Sequence, residues 1–381
     1  MTESLPAEAY AAALAGLSAM TPARLRLLIA HHGPAEAWSV VNGTSPPHPA
    51  VAPLLAKRDV IDKFRSSGAE RHPALVWDRC VRTNTAVLII GHGGYPALLA
   101  ADYAAPSVIF VRGDLSILGH RRAGIIGTRN ATEGGRRLAY RLGSELSHAG
   151  VVVISGLARG IDGAAHRGVI DGDGVPPVAV VASGPDVPFP SDHARLWAQV
   201  IERGALISEH PPGSPPYAEF FPARNRILAA LSEALIVVES RAKGGSMITV
   251  REAMRRQIDV LAVPGSPLNK AAEGTNQIIA DGARPVCDTD DVLVALGLST
   301  KRQGQLVFDP RPIPSEGDQR IFEAFNGDAL CLDEIVDRAA LSLADVAMAL
   351  GRLEANGWIV ANGGWFEPMG VNTLAIDRLE V

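Results

Sequence analysis

Six short apolar runs recur between residues 123 and 265, and each closes on small or polar residues: AGIIGTR (123–129), VVVISG (151–156), PVAVVASG (177–184), ALISEH (205–210), ALIVVES (234–240) and DVLAVPG (259–265). A strand with one wet face alternates apolar and polar residues, whereas these runs are apolar throughout, the mark of strands covered on both faces. Helical stretches lie between them. The pattern constrains residues 75–298 to an α/β fold, a parallel sheet with helices on both faces. Such open sheets take ligands outside the carboxyl ends of their strands, so the turns that follow the runs are the places to search for chemistry.

Four of those turns carry anion-receptive residues. Gly127, Thr128 and Arg129 close the first run and lead into a helix near Gly134, where free backbone N–H groups and a guanidinium can meet a phosphate. The second turn is Ser155-Gly156-Leu157-Ala158-Arg159-Gly160-Ile161-Asp162. Its glycines Gly156 and Gly160 allow close backbone approach beside Ala158, and Ser155 and Arg159 are in reach of an oxygen anion. His166 follows Asp162 by one helical turn and reads as structural, since no nucleophile accompanies the pair. The third is Phe221-Pro222-Ala223-Arg224-Asn225-Arg226. Arg224 and Arg226 are two residues apart and point opposite ways on a helix, so Arg224 is expected to face a ligand while Arg226 pairs internally with Glu209 or Glu239. The fourth, Lys243-Gly244-Gly245-Ser246 through Thr249, is a glycine nest with a lysine at its lip.

Several separate anion cradles along one sheet edge suit a chain of phosphates better than one nucleotide. Tyr95, Tyr217, Phe220 and Phe221 offer either stacking faces or core. No acid dyad, Ser-His-carboxylate set, HExxH or metal-ligand spacing accompanies the turns, so neither catalysis, a metal nor a cofactor is expected.

The flanks differ from this body. Residues 1–70 read as a small helical domain, with Thr21 as a helix cap and Pro22 behind it. It is similar to a SAM or helix-hairpin-helix unit whose turn, Ser18-Ala19-Met20-Thr21, lacks the glycines that let such hairpins reach a phosphate. After a Pro-rich linker (299–314), residues 315–381 give three helices and two short strands joined at Asn362-Gly363, the order of a winged helix. Trp358 and Trp365 are expected in its core.

Net charge is −5, but the acid is concentrated at the end: residues 311–381 hold 5 Lys+Arg against 12 Asp+Glu, which leaves 31 against 29 for residues 1–310. The body has room for a local basic patch, and the last segment repels DNA. Cys80, Cys287 and Cys331 are too dispersed for a disulfide framework, the first residues show no basic signal region, and no apolar run is long enough for a membrane span. A cytoplasmic protein without a membrane partner is expected.

With GTR, SGLARGID, SEHPPG, FPARNRIL, VVES, KGGSMIT, VPG and GTNQIIADGA in this order, over about residues 95–285, the chain resembles the DprA/Smf family of DNA-processing proteins. The resemblance implies an extended Rossmann-like fold that binds single-stranded DNA, forms a homodimer through that domain, and loads RecA recombinase onto incoming DNA in natural transformation. It implies that Arg129, the SGLARGID turn, Arg224 to Arg226 and Lys243 to Thr249 line the DNA pocket. The family usually has serine at the position of Gly244, so a hydroxyl contact is missing there.

The rival reading is a nucleotide phosphoribohydrolase on a related Rossmann-like sheet, whose GGxGTxxE motif has a partial counterpart in GGSMITVRE (244–252). The third glycine is absent, and Thr249 and Glu252 each fall one place late. A transcription factor led by the winged helix is disfavoured by the acidity of that segment.

Overall fold

The computed structural model describes residues 5–298, 311–325 and 328–369. Most of the Pro-rich linker (299–310) and the end of the last segment (370–381) lie outside the described residues. The chain divides into two compact units, residues 1–298 and 299–381.

The first unit opens with helices α1 (Ala7–Ala15), α2 (Pro22–Val41), α3 (Ala52–Leu55), α4 (Arg58–Gly68) and α5 (Pro73–Arg82). Thr21 caps α2 by accepting the Arg24 N–H, and α2 kinks at Gly33, where φ is 65° and Pro34 follows. These helices share a core with the first two strands: Leu14, Leu28, Phe64 and Cys80 pack with Val87, Ile89, Val108 and Phe110.

Nine strands form one sheet: β1 (Ala86–Ile89), β2 (Val108–Gly113), β3 (Arg121–Ile126), β4 (Val151–Ser155), β5 (Val178–Val181), β6 (Ala205–Ser208), β7 (Ala234–Val237), β8 (Asp259–Ala262) and β9 (Arg284–Pro285). Their spatial order is β1-β2-β6-β5-β4-β3-β7-β8-β9. β3 to β9 pair in parallel, as the six runs predict for β3 to β8. β1 and β2 extend the β6 edge in antiparallel register, an addition that the apolar runs do not announce.

Along the central strands alternate residues feed two cores. Val152 and Ile154 of β4 join α10 (Phe220–Leu231), α11 (Ser246–Arg255) and α12 (Glu273–Ala280) through Ile227, Leu228, Val250 and Ile278. Val151 and Val153 point the other way, toward α7 (Glu133–His148), α8 (Ile161–Ile170) and α13 (Thr289–Ala295), through Leu142, Leu146, Ala165 and Val292. Short α6 (Ala97–Ala100) and α9 (Ala194–Arg203) complete the cover. Each fully buried Val, Ile or Leu contributes about 1.5–3 kcal/mol relative to exposure, so this double-sided burial fixes the register on which the site depends.

In the second unit α14 (Glu316–Ala324), β10 (Leu330–Cys331), α15 (Leu332–Ala339), α16 (Leu343–Ala355), β11 (Ile359–Asn362) and β12 (Trp365–Pro368) build a winged helix around Ile321, Phe325, Ile335, Leu350 and Leu353. Gly363 and Gly364, both at positive φ, turn the hairpin. Trp358 packs on Phe322, but Trp365 is half exposed, so only one of the two tryptophans belongs to the core. Arg352, the one base on α16, is tied to Asp318 at 2.6 Å.

Candidate nucleic-acid interface

Strand order reverses at β3. The chain steps from β3 through β4 and β5 to β6 on one side, then returns to lay β7 and β8 on the other. At that switch point the two carboxyl-end turns diverge and leave a crevice, the expected ligand position of an open parallel sheet. A cleft of about 530 Å³ occupies it. Ile126 to Arg129 form one wall and Arg241 with Gly244, Gly245 and Ser246 the other, with Ala158 of the β4 turn, Asp162 of α8 and Phe221, Pro222, Arg224 and Asn225 of α10 between them.

Arg129 is exposed at the cleft mouth with its guanidinium 4.5 Å above the Phe221 ring. The ring holds the cation by its quadrupole without neutralising it, and among the described residues Arg129 has no ion-pair partner. Opposite, α11 begins at Ser246 after Gly244 and Gly245. Its first turn contains no acidic residue, and among the described residues the N–H groups of Gly245 and Ser246 have no acceptor. A side chain built on Gly245 would meet nothing within 4 Å. This terminus is therefore an open anion seat, favoured by the helix dipole. Arg241 adds a second exposed guanidinium beside it. Sequence reasoning favoured Lys243 at this lip and passed over Arg241. The signal was its position immediately past the apolar run 234–240, whereas Lys243 is exposed and does not line the cleft.

Between these walls lie the buried residues. Arg224 is 7% exposed, and its guanidinium donates to the Val180 carbonyl. Burial pulls its pKa down to about 10, with Asp162 opposing that shift, so it remains a cation at neutral pH. Gly156 is glycine because a Cβ there would lie 2.6 Å from Arg224 Cζ. Asp162 is 7% exposed and lines the same cleft; its burial raises its pKa, against the pull of Arg224 and Arg129.

Three local expectations change, and one pairing is met. Arg224 does not stand outward; it forms the floor of the cleft through a buried guanidinium. Arg226 does pair with Glu209, at 2.6 Å, and is off the cleft. Ser155 is fully buried with its hydroxyl donating to the Ile125 carbonyl at 2.6 Å, so it offers nothing to a ligand. The amino end of α7 is already filled: Glu239 accepts the Thr132 N–H at 2.9 Å and the Thr132 hydroxyl at 2.5 Å. Gly160, at φ 79°, acts through the backbone; a Cβ there would lie 2.8 Å from the Arg129 carbonyl, so it lets the β4 turn approach the β3 turn. His166 is buried, with Nε2 at 3.3 Å from the Val178 carbonyl, as a structural histidine should be.

Gly127, Thr128, Arg129, Ala158, Arg224, Asn225, Gly244, Gly245, Ser246 and Thr249 do converge on the one cleft. Gly156 and Arg159 line a smaller apolar recess of about 70 Å³ that shares Arg129, Ala158 and Phe221 with it. Arg159 pairs with Asp192 at 3.1 Å, but both are more than half exposed, so the pair is weak and the guanidinium remains available. Of the aromatics, Tyr95 is buried with its hydroxyl on the Pro106 carbonyl, Phe220 stacks on His210, and Tyr217 is half exposed.

Residues 86–297 match the family model described as DNA recombination-mediator protein A, and residues 309–364 match the DprA winged helix domain. The DNA processing protein DprA of Bacillus subtilis is 38% identical over 203 residues, covering 53% of this chain and 68% of that protein. The X-ray structure of DNA processing protein A from Streptococcus pneumoniae superposes with a TM-score of 0.63 at 28% identity, covering 76% of this chain and 98% of that one. A structure of the Helicobacter pylori DNA processing protein A, reported for its single-stranded DNA binding mode, gives 0.51 at 25% identity over 56% of this chain and 95% of that one. The matched family comprises recombination mediators rather than enzymes. A parallel sheet with its ligand crevice at the strand switch point, a winged helix later in the chain, and these matches together place the chain in the DprA/Smf family of DNA-processing proteins.

Proposed function

We propose that this protein binds single-stranded DNA in the β3/β7 cleft and hands it to RecA recombinase during transformation, acting in the cytoplasm as a homodimer through its Rossmann-like domain. One observation carries the reading: Arg129 on one wall of the cleft faces the open amino end of α11 on the other, with Arg241 beside that end, and among the described residues neither guanidinium has an ion-pair partner. Cations and amides spaced along a groove follow a backbone of phosphates, and Phe221 beside Arg129 offers a base a stacking face. Of the sequence-predicted residues, Gly127, Thr128, Arg129, Ala158, Arg224, Asn225, Gly244, Gly245, Ser246 and Thr249 are the contacts we assign, with Gly156 and Arg159 at the recess. Ser155, Gly160, Arg226 and Lys243 support or border the site. The phosphoribohydrolase alternative loses its catalytic glutamate, since Glu252 is engaged by Arg255 and Arg256, 2.8 and 2.7 Å away, off the cleft.

Titration with unstructured oligonucleotides of increasing length at two salt concentrations tests the reading. Affinity should rise with length to a plateau, exceed that for duplex, and fall steeply with salt as counterion release gains less. Length-independent binding of a mononucleotide, with little salt dependence, would overturn it.

A further inference from the structure

The apolar recess of about 70 Å³ adjoins the cleft and shares Arg129, Ala158 and Phe221 with it. Its buried lining is the carboxyl end of β5, where Val181, Ala182 and Ser183 are 3%, 5% and 1% exposed. Phe189, from the segment between β5 and α9, completes it. The Phe189 and Phe221 rings meet with centroids 5.6 Å apart and planes inclined by 58°, so they form one apolar wall rather than a gap for a sandwiched base. Phe189 stays 39% exposed, apolar surface that folding leaves uncovered at the edge of the ligand path.

The chemistry of this lining is narrow. Among the described residues that form it, Arg129 and Arg159 are the charged groups and Ser183 is the single uncharged polar side chain. The Ser183 hydroxyl donates to the Val187 carbonyl at 2.7 Å, so it is spent inside the fold. The two guanidiniums are exposed, and a guanidinium donates hydrogen bonds without accepting them. An occupant must therefore turn an apolar edge to the hollow and acceptors, not donors, to the arginines. At about 10–15 Å³ for each water-sized group, the volume holds about five to seven such groups, enough for a six-membered ring but short of a fused purine. Thymine meets all three conditions, with a single ring, a 5-methyl edge and the O4 acceptor beside it. Cytosine puts a donating amine where thymine has O4, and uracil lacks the methyl group.

We infer that the recess is a base slot selective for thymine: a single strand held by its phosphates in the cleft inserts one thymine against Phe189, Phe221 and the end of β5. The inference rests on the single-stranded DNA reading above and adds base preference to cradles that meet only the backbone. Phosphate contacts position a strand, whereas contacts to the base specify it.

The test compares oligothymidylate, oligodeoxyuridylate and oligodeoxycytidylate of one length on the full chain, by anisotropy at two salt concentrations. The thymine oligomer should bind about three- to fourfold tighter than the uracil oligomer, the worth of one buried methyl group, and tighter than the cytosine oligomer as well. Phe189→Ala opens the slot and should bring the thymine and uracil affinities together, with the slope of log K against log salt unchanged because the phosphate contacts remain. A residue that merely supports the fold would not erase a difference of one methyl group. Ala182→Leu, which fills the recess from its buried side, should erase the same difference. Equal affinities for thymine and uracil oligomers in the parent overturn the inference, whatever the variants do. So does a thymine preference that survives in folded Phe189→Ala, or tighter binding of an oligodeoxyadenylate than of oligothymidylate. If the parent binds none of these oligomers, the single-stranded DNA reading itself fails; if it binds all of them alike, the slot alone does.

Discussion

The Arg224 guanidinium occupies the space that a side chain at residue 156 would need: a Cβ built on Gly156 would lie 2.6 Å from Arg224 Cζ. The absence of a side chain on one turn is what permits a cation on a neighbouring helix to reach the cleft floor. Gly156→Ala should therefore displace Arg224 from the Val180 carbonyl, destabilise the fold by about 1–3 kcal/mol through overpacking, and weaken single-stranded DNA binding at the same time. Thermal unfolding and an anisotropy titration on one preparation check both. A variant that melts and binds as the parent does would show that the guanidinium has room to move.

Arg129 is predicted to behave differently, because it is exposed and its side chain rests on the Phe221 ring without an ion-pair partner among the described residues. Removing it costs little stability, about 0.5 kcal/mol, the scale of a surface cation–π contact. A charge-assisted phosphate contact is worth more. Arg129→Ala should weaken oligonucleotide binding by about 1–3 kcal/mol with the melting temperature nearly unchanged. Equal affinity in the folded variant would remove Arg129 from the interface.

The two arginines also show what the sequence makes legible. The six uninterrupted apolar runs specify β3 to β8, and their carboxyl-end turns specify the edge on which the cleft lies, since both follow from local pattern. Which groups on that edge remain free is a tertiary matter. The start of α7 reads as a phosphate seat from Gly127 to Gly134, yet Glu239, more than a hundred residues away, fills it through Thr132. The start of α11 reads the same and stays open, because among the described residues nothing acidic folds onto Gly245 and Ser246. Helical spacing separates Arg224 from Arg226 correctly, but only the packed structure reveals that Glu209 takes Arg226 and that Arg224 is sunk beneath the surface. β1 and β2 escape the pattern because they pair antiparallel at the sheet edge and are covered by the amino-terminal helices rather than by crossover helices.

Stability should fall on the acid side through buried histidine. Burial lowers His166 from its usual 6.5 to about 4, and His210 to about 4 for the same reason. Between those values the unfolded chain takes up a proton that the folded chain refuses, so stability declines as pH drops from about 6.5 toward 4. Burial raises Asp162 and Glu209, which acts in the opposite direction, so the histidine contribution is best read as a difference. His166→Asn should lose stability at pH 7 yet flatten the decline in urea midpoint between pH 7 and 4.5. Parallel declines in parent and variant would assign the acid sensitivity elsewhere.

The winged helix is predicted to contribute little to DNA affinity, and the reason lies in its own charges. In a helix that reads the major groove, basic and amide side chains face the bases and phosphates. Here Arg352, the single base of α16, is held by Asp318 at 2.6 Å, and the segment from residue 311 onward carries 12 acidic residues against 5 basic ones. Bringing that surface to a phosphate backbone adds repulsion and releases no counterions. The nine-stranded sheet and its cores are complete within residues 1–298, so a chain ending at Leu298 should still fold. Its affinity for a single-stranded oligonucleotide should stay within about twofold of the full chain, with the same salt slope within error. A tenfold loss, or a shallower slope in the truncated chain, would place cationic contacts in the winged helix and contradict the account of its charge.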